Sequence, residues 1–114
     1  MVHIKRLQED GTDILAIVGE IDASSSIDLD LAIAKSLSEG FTKILVDCTS
    51  LEYISSAGLG VFMSYIEEFK EKNFKMVLFG MKEKVFNTFN ILGLDELLVI
   101  VPSREDAKKK LSEV

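Results

Sequence analysis

One cysteine and one histidine are all this chain has of either residue: Cys48 and His3. No intramolecular disulfide can form, and no cysteine–histidine cluster exists to hold zinc. A metal would need an all-carboxylate set, so none is expected. A Ser-His-Asp hydrolase would have to use His3, in the first strand, as its sole base, and the sequence has no G-x-S-x-G elbow. Basic residues are in the minority, 13 Lys and Arg against 19 Asp and Glu, for a formal net charge of −6. That balance argues against a nucleic-acid binder, which needs a basic face, and fits a soluble protein whose partners are proteins or cations. Long apolar runs are missing too. The opening "MVHIKRLQEDG" has no apolar h-region, and nothing later approaches the length of a membrane span. The expectation is a cytosolic (cytoplasmic) chain with no membrane partner.

Phosphate-binding glycine loops are absent as well. "GLG" (58–60) lacks the third glycine of G-x-G-x-x-G, where Met63 stands, and it lies within a helix pattern rather than before one. There is no P-loop, and no cofactor is expected.

What is present is an ordinary globular balance. Of 114 residues, 47% are hydrophobic and 28% charged, which suits one domain over 1–114 with a core that needs no staples. Asp10-Gly11 separates two strands of a hairpin. Ile14, Ala16 and Val18 alternate with Leu15 and Ile17, so the second strand is apolar on both faces, as an interior strand is. Ser24, Ser25 or Ser26 caps a first helix, in which Ile27, Leu31, Ala34 and Leu37 recur at helical spacing before Gly40 stops it. "KILVDC" (43–48) reads as a buried strand. From Ala57 to about Lys72 the pattern is helical, with Leu59, Phe62, Met63, Ile66 and Phe69 in phase. "KMVLFG" (75–80) is the next strand, and Val85, Phe86, Phe89 and Leu92 mark a helix that ends before Gly93. "ELLVIV" (96–101) is the last strand, and Ser103 with Asp106 resembles the capping box of a final lysine-rich helix. The order β-β-α-β-α-β-α-β-α predicts an α/β fold with a mostly parallel central sheet and helices packed against it.

Chemistry is concentrated in "DCTSLEYISSAGLGVF" (47–62). Asp47 ends a central strand as a phosphoaspartate receiver site would. The first strand, however, carries His3, Lys5 and Arg6 in place of the carboxylates that would hold magnesium. Ser55 and Ser56 stand where strand hands over to helix, at the carboxyl edge of the sheet, where α/β proteins place their sites. Two roles are open to them. One is a helix cap. The other is a helix start built to take a phosphate, whose charge the first-turn N–H groups and dipole favour by roughly 0.3–1 kcal/mol when exposed. Gly58 and Gly60 share the first turn, where a glycine costs about 1 kcal/mol relative to alanine. Either a partner comes close there, or the helix packs tightly on its own sheet. Asp22 either contacts a partner or closes the turn before the first helix. Asp47 is expected to accept from backbone N–H groups that follow it, and Cys48 to be a small core residue. Phe62, Tyr65 and Phe69 are expected in the core.

With "GEID" (19–22) before the first helix, "ILVDCTSLEYISSAGLGVF" (44–62) and this element order, nearly the whole chain resembles a STAS domain of the bacterial anti-sigma factor antagonist type. The family pattern there is roughly D-S-S/T-G-L-G, with the serine after the aspartate as phosphoacceptor. Alignment on Gly58-Leu59-Gly60 puts the acceptor at Ser56. Two departures follow: Ser55 occupies the aspartate position, which makes it a second candidate acceptor, and Ala57 occupies the second Ser/Thr position.

The resemblance implies partner switching. The unphosphorylated antagonist binds an anti-sigma factor that is also a serine kinase, which releases the sigma factor. The kinase uses ATP to phosphorylate the antagonist, and a serine phosphatase resets it. The antagonist is then a substrate and ligand, not an enzyme. Asp22, Ser55, Ser56, Ala57, Gly58 and Gly60, with the exposed side of helix 57–72, are the expected contact residues. Phosphate on Ser56 would oppose binding through desolvation and like-charge repulsion, with Asp22 alongside if its loop folds close. The alternatives are a STAS module that is never phosphorylated, serving as an adaptor or a small-molecule or nucleotide sensor, and a small enzyme on the same architecture.

Overall fold

At Asp10-Gly11 the chain reverses with both φ angles positive, 51° and 77°, as a two-residue type I′ turn requires. The turn joins β1 (Val2–Glu9) to β2 (Thr12–Ile21) in an antiparallel pair. In this computed structural model, which describes residues 2–113, there follow α1 (Ser26–Ser38), β3 (Lys43–Ile54), α2 (Ser56–Lys72) and β4 (Lys75–Phe79). Next come α3 (Glu83–Ile91), a 3₁₀ turn (Leu94–Glu96), β5 (Val99–Val101) and α4 (Arg104–Ser112). The strands form one sheet in the order β1-β2-β3-β4-β5, and every pair after the first is parallel. The α/β architecture expected from the element order is the one observed.

Strand alternation feeds two apolar layers. Leu15, Ile17, Ile44, Val46 and Leu78 meet Leu29, Ile33, Leu59, Phe62 and Phe89 of α1, α2 and α3 on one face. Ile14, Leu45, Val77 and Phe79 meet Ala107 and Leu111 of α4 on the other. Successive right-handed crossovers in strand order put the first three helices on the same side. They also bring the starts of α1 and α2 to the carboxyl edge of the sheet. One charge is buried beneath this frame: Asp13, 0% exposed, is held by Arg6 at 2.6 Å, and Arg6 also reaches Glu39 at 3.0 Å. Among the described residues no helix is long and apolar enough to cross a membrane.

Three local expectations need correction. On α1 the residues turned to the core are Leu29, Ile33 and Ser36, whereas Ile27 and Leu31 are 62% and 60% exposed. The helix has apolar residues on two sides, so periodicity could not choose between them. Strand β3 does not end at Cys48 but runs to Ile54, pairing with β2 across two register irregularities. Its extension buries Leu51 and Ile54 while Thr49, Ser50 and Glu52 face solvent, which looks polar when read in sequence. At the other end, β5 is confined to Val99–Val101, because Leu94–Glu96 forms the 3₁₀ turn and the Leu97 side chain is exposed.

Candidate functional site: the start of α2

The extension of β3 decides where α2 begins. Ile54 pairs with Ile21 at the end of the β2–β3 ladder, and the next amide, that of Ser55, donates to the Ile21 carbonyl at 2.8 Å. Ser55 is the N-cap: its backbone is extended, and its hydroxyl oxygen accepts the Gly58 N–H at 3.2 Å. Ser56 is therefore the first residue of the helix, and it is exposed. The other three α-helices carry acids in their first turns, Asp28, Glu83, and Glu105 with Asp106, whereas α2 has none. The positive end of the α2 dipole is thus left without a negative side chain from its own first turn.

Asp22 follows directly on Ile21, so the Ser55–Ile21 bond sets its loop beside the helix start. Its Oδ1 accepts the Ser25 N–H at 2.8 Å and the Ser24 and Ser25 hydroxyls at 2.9 Å each. Those bonds, the backbone one first, hold the Asp22 carboxyl down to about 2, so it is ionised at neutral pH. In return the Ser25 hydroxyl accepts the Asp22 N–H at 2.8 Å. Of the two roles open to Asp22, turn closure is the one visible, and its exposed side chain stays at the edge. Helical patterning alone presents Ser24 and Ser25 as caps of α1 and misses their clasp on Asp22. The D-A-S-S spacing is the signal for it, since Asp and Ser both close turns onto backbone two or three residues away.

Gly58 does not belong to a contact surface. It is buried, and a Cβ there would lie 2.7 Å from Ile54 Cγ1 and 2.8 Å from Ile21 Cγ2. The glycine lets α2 settle on its own sheet. Gly60 differs: it is exposed, and a Cβ there would meet nothing within 4 Å. The site therefore presents Asp22, Ser56, Ala57 and Gly60 to solvent, with Ser55 half-buried beneath them.

The remaining residues singled out in the sequence lie away from this edge or make contacts within the fold. Asp47 accepts the Thr49 N–H at 3.0 Å and its hydroxyl at 2.8 Å, and lies 3.5 Å from Arg104. Cys48 is buried, and desolvation pushes its thiol up, away from thiolate reactivity. Phe62 and Phe69 are core residues. Half-buried Tyr65 donates its hydroxyl to Asp30 at 2.6 Å, which couples α2 to α1. His3 is exposed on β1.

Fold and site together define a small α/β module that presents a helix start at the carboxyl edge of a mixed sheet. The chain belongs to the STAS domain family, whose model matches residues 3–107. It is similar to the anti-sigma-B factor antagonist of Listeria monocytogenes, 32% identical over 100 residues that make up 87% of this chain and 86% of that protein. An anti-sigma factor antagonist from Mycobacterium paratuberculosis superposes with a TM-score of 0.90 at 19% identity, covering 99% of this chain and 96% of that one. The Bacillus cell fate determinant SpoIIAA, solved in its phosphorylated form, superposes with a TM-score of 0.70 at 17% identity, over 97% of this chain and 99% of that one. These two structural likenesses bear on the fold.

Proposed function

We propose that this chain is an anti-sigma factor antagonist that works by partner switching in the cytoplasm, with Ser56 as its phosphoacceptor. The observation that carries this is the different use of two neighbouring serines. Ser55 commits its hydroxyl to the cap, while Ser56 stands exposed on a first turn that lacks any acid. Similarity to a protein named as an anti-sigma-B factor antagonist, at 32% identity over most of both chains, supports the assignment. The departure at Ser55 is compatible with it. Serine and aspartate are comparable N-caps, so the helix start is kept, and the change removes a like charge beside a phosphate on Ser56.

In the unphosphorylated state the Asp22, Ser56, Ala57 and Gly60 edge docks on an anti-sigma factor with serine-kinase activity, and the sigma factor is released. The kinase then transfers the γ-phosphoryl group of ATP to the Ser56 hydroxyl oxygen: the bond from the bridging oxygen to the γ-phosphorus breaks, ADP leaves and the hydroxyl proton is lost. The phosphate adds about −1.5 to −2 charge at pH 7. The α2 dipole and first-turn N–H groups favour it by roughly 0.3–1 kcal/mol, so the domain stays folded. In the complex the same phosphate must be desolvated beside ionised Asp22, and both effects oppose binding. A shift from almost all bound to almost all free takes about 5.5 kcal/mol, which requires that Ser56 lie in the closely packed part of the contact. A serine phosphatase restores the first state. In this cycle the chain is substrate and ligand, not catalyst.

The test is the affinity of the chain for its cognate anti-sigma kinase, measured with wild type, Ser56→Glu and enzymatically phosphorylated protein. Phosphorylation should weaken binding by about 10⁴-fold, or roughly 5.5 kcal/mol, and Ser56→Glu by less, since it carries less charge. Equal affinity of all three would remove the electrostatic switch.

A further inference from the structure

At the far end of α2 from Ser56, a groove of about 490 Å³ opens between that helix, β4 and residues 97–99. Its size lies within the range of small-molecule sites. The walls include Ile66, Phe69, Phe74, Met76, Leu97 and Leu98. Phe69 meets Phe74 edge to face at 5.9 Å and Tyr65 at 6.1 Å, so three aromatic rings pack against one another along this wall. Leu97 and Val99 on its border are 60% and 42% exposed, an apolar surface left to water.

The rim has the opposite character to the protein as a whole. In a chain of net charge −6, the described residues that border the groove include Lys70, Lys75 and Lys110 and one carboxylate, that of Glu113. Lys110 lies 3.5 Å from that carboxylate. Lys75 points its ammonium at backbone carbonyls, those of Glu113 and, at 3.5 Å, Leu111. Among the described residues, Lys70 and Lys75 have no carboxylate within ion-pair distance. An apolar trough whose described rim carries more lysines than carboxylates fits an occupant with an alkyl chain and an anionic head. The stretch of α2 from Phe62 to Lys70 is about 12 Å long, the scale of one medium alkyl chain rather than of a two-chain lipid.

We propose that this groove binds a free medium-chain carboxylate, with its chain along the Phe69–Phe74 wall and its head at Lys70, Lys75 and Lys110. The site is separate from the Ser56 edge, so its occupancy is measured without partner or kinase, and a failure here leaves the partner-switching proposal standing.

The experiment titrates the full chain with sodium decanoate below its micelle-forming concentration, by calorimetry and amide NMR. Acetate and decyltrimethylammonium are the head-only and charge-inverted probes. Leu97→Asp, at an exposed position, and the double variant Lys70→Glu with Lys110→Glu are run in parallel, with melting curves to show that both are folded. Saturable one-to-one binding of decanoate is expected, with shifts confined to the groove, no binding of acetate, and at least a tenfold loss of affinity in each variant. Any of four results would overturn the proposal: no saturable binding; equal binding of decyltrimethylammonium; affinity unchanged in both variants; or concentration-dependent shifts of the groove residues without ligand, which would make the groove a contact between copies of the chain.

Discussion

The Ser55 amide and the Ile21 carbonyl meet at 2.8 Å, and that bond closes the gap between the β2–α1 loop and the start of α2. It ties the residue before Asp22 to the residue before Ser56, although the two loops lie far apart in sequence. The arrangement depends on β3 running on to Ile54, because a strand that ended at Cys48 would leave the two loops unconnected. Position and chemistry are thus set by different residues. Ile21, Ile54 and Gly58 seat the helix, Ser55 caps it, and Ser56 is left with its hydroxyl exposed.

The two serines should separate cleanly in stability. Ser55→Ala leaves the Gly58 N–H without its cap acceptor and should cost about 1 kcal/mol, read as a fall of several degrees in melting temperature. Ser56→Ala removes an exposed hydroxyl and should change stability by less than about 0.5 kcal/mol. Denaturation curves of both variants check the ordering, and a larger loss in Ser56→Ala would mean that the capping role had been given to the wrong residue.

The glycines of the same turn should respond in opposite directions. In Gly58→Ala the new methyl meets Ile54 and Ile21 at 2.7 and 2.8 Å. Overpacking of that kind costs about 1–3 kcal/mol, against a gain of about 1 kcal/mol in helix propensity. In Gly60→Ala the methyl enters open space and only the gain of about 1 kcal/mol remains. If Gly60 is kept small for a partner, Gly60→Ala will be more stable and yet bind the anti-sigma kinase less well, which thermal melts and binding assays on one preparation can show.

Acid should loosen the start of α1 through Asp22. Its folded carboxyl sits at about 2, below the ordinary aspartate value of about 3.9. A depressed carboxyl contributes fully above the unfolded value and loses that contribution as pH falls through the folded one. The contribution is therefore present above about pH 4 and fades toward pH 2. Carboxyl carbon NMR should find Asp22 titrating below the ordinary aspartate value of about 3.9, and an ordinary titration of Asp22 would mean that the Ser24–Ser25 clasp is not kept in solution.

The charge triad under α1 gives a graded prediction. Arg6→Ala leaves the Asp13 carboxylate, 0% exposed, without its partner, and breaking a buried pair in this way costs about 3–5 kcal/mol. Glu39→Ala removes only the outer arm of the triad, whose side chain is 40% exposed, and should cost less than about 1 kcal/mol. Urea titrations of the two variants measure the difference directly.

Much of the fold is legible in the sequence because local chemistry and global architecture agree. Asp10-Gly11 announces its turn, the doubly apolar β2 announces an interior strand, and the Ser55–Ser56 pair stands at a visible strand-to-helix change. What is not legible depends on contacts distant in sequence. The choice between Ile27–Leu31 and Leu29–Ile33 as the inner face of α1 is made by the sheet, since either set has helical spacing. The continuation of β3 through Thr49, Ser50 and Glu52 rests on pairing with β2, which polar side chains do not signal. Gly58 and Gly60 look alike in sequence, and only the position of Ile21 and Ile54 distinguishes the packed one from the open one. The apolar run that follows Glu96 does not mark where β5 begins, because the backbone forms a 3₁₀ turn over Leu94–Glu96 after Gly93, where φ is +73°.

The measurement to make first is peptide mass spectrometry of the wild type, Ser55→Ala and Ser56→Ala after incubation with ATP and extract from the native cells. One phosphate on wild type and on Ser55→Ala, absent from Ser56→Ala, is the predicted pattern. No phosphate on any of the three, while an authentic antagonist is labelled in the same extract, would contradict a phosphoacceptor at Ser56 and leave a STAS module that acts without modification.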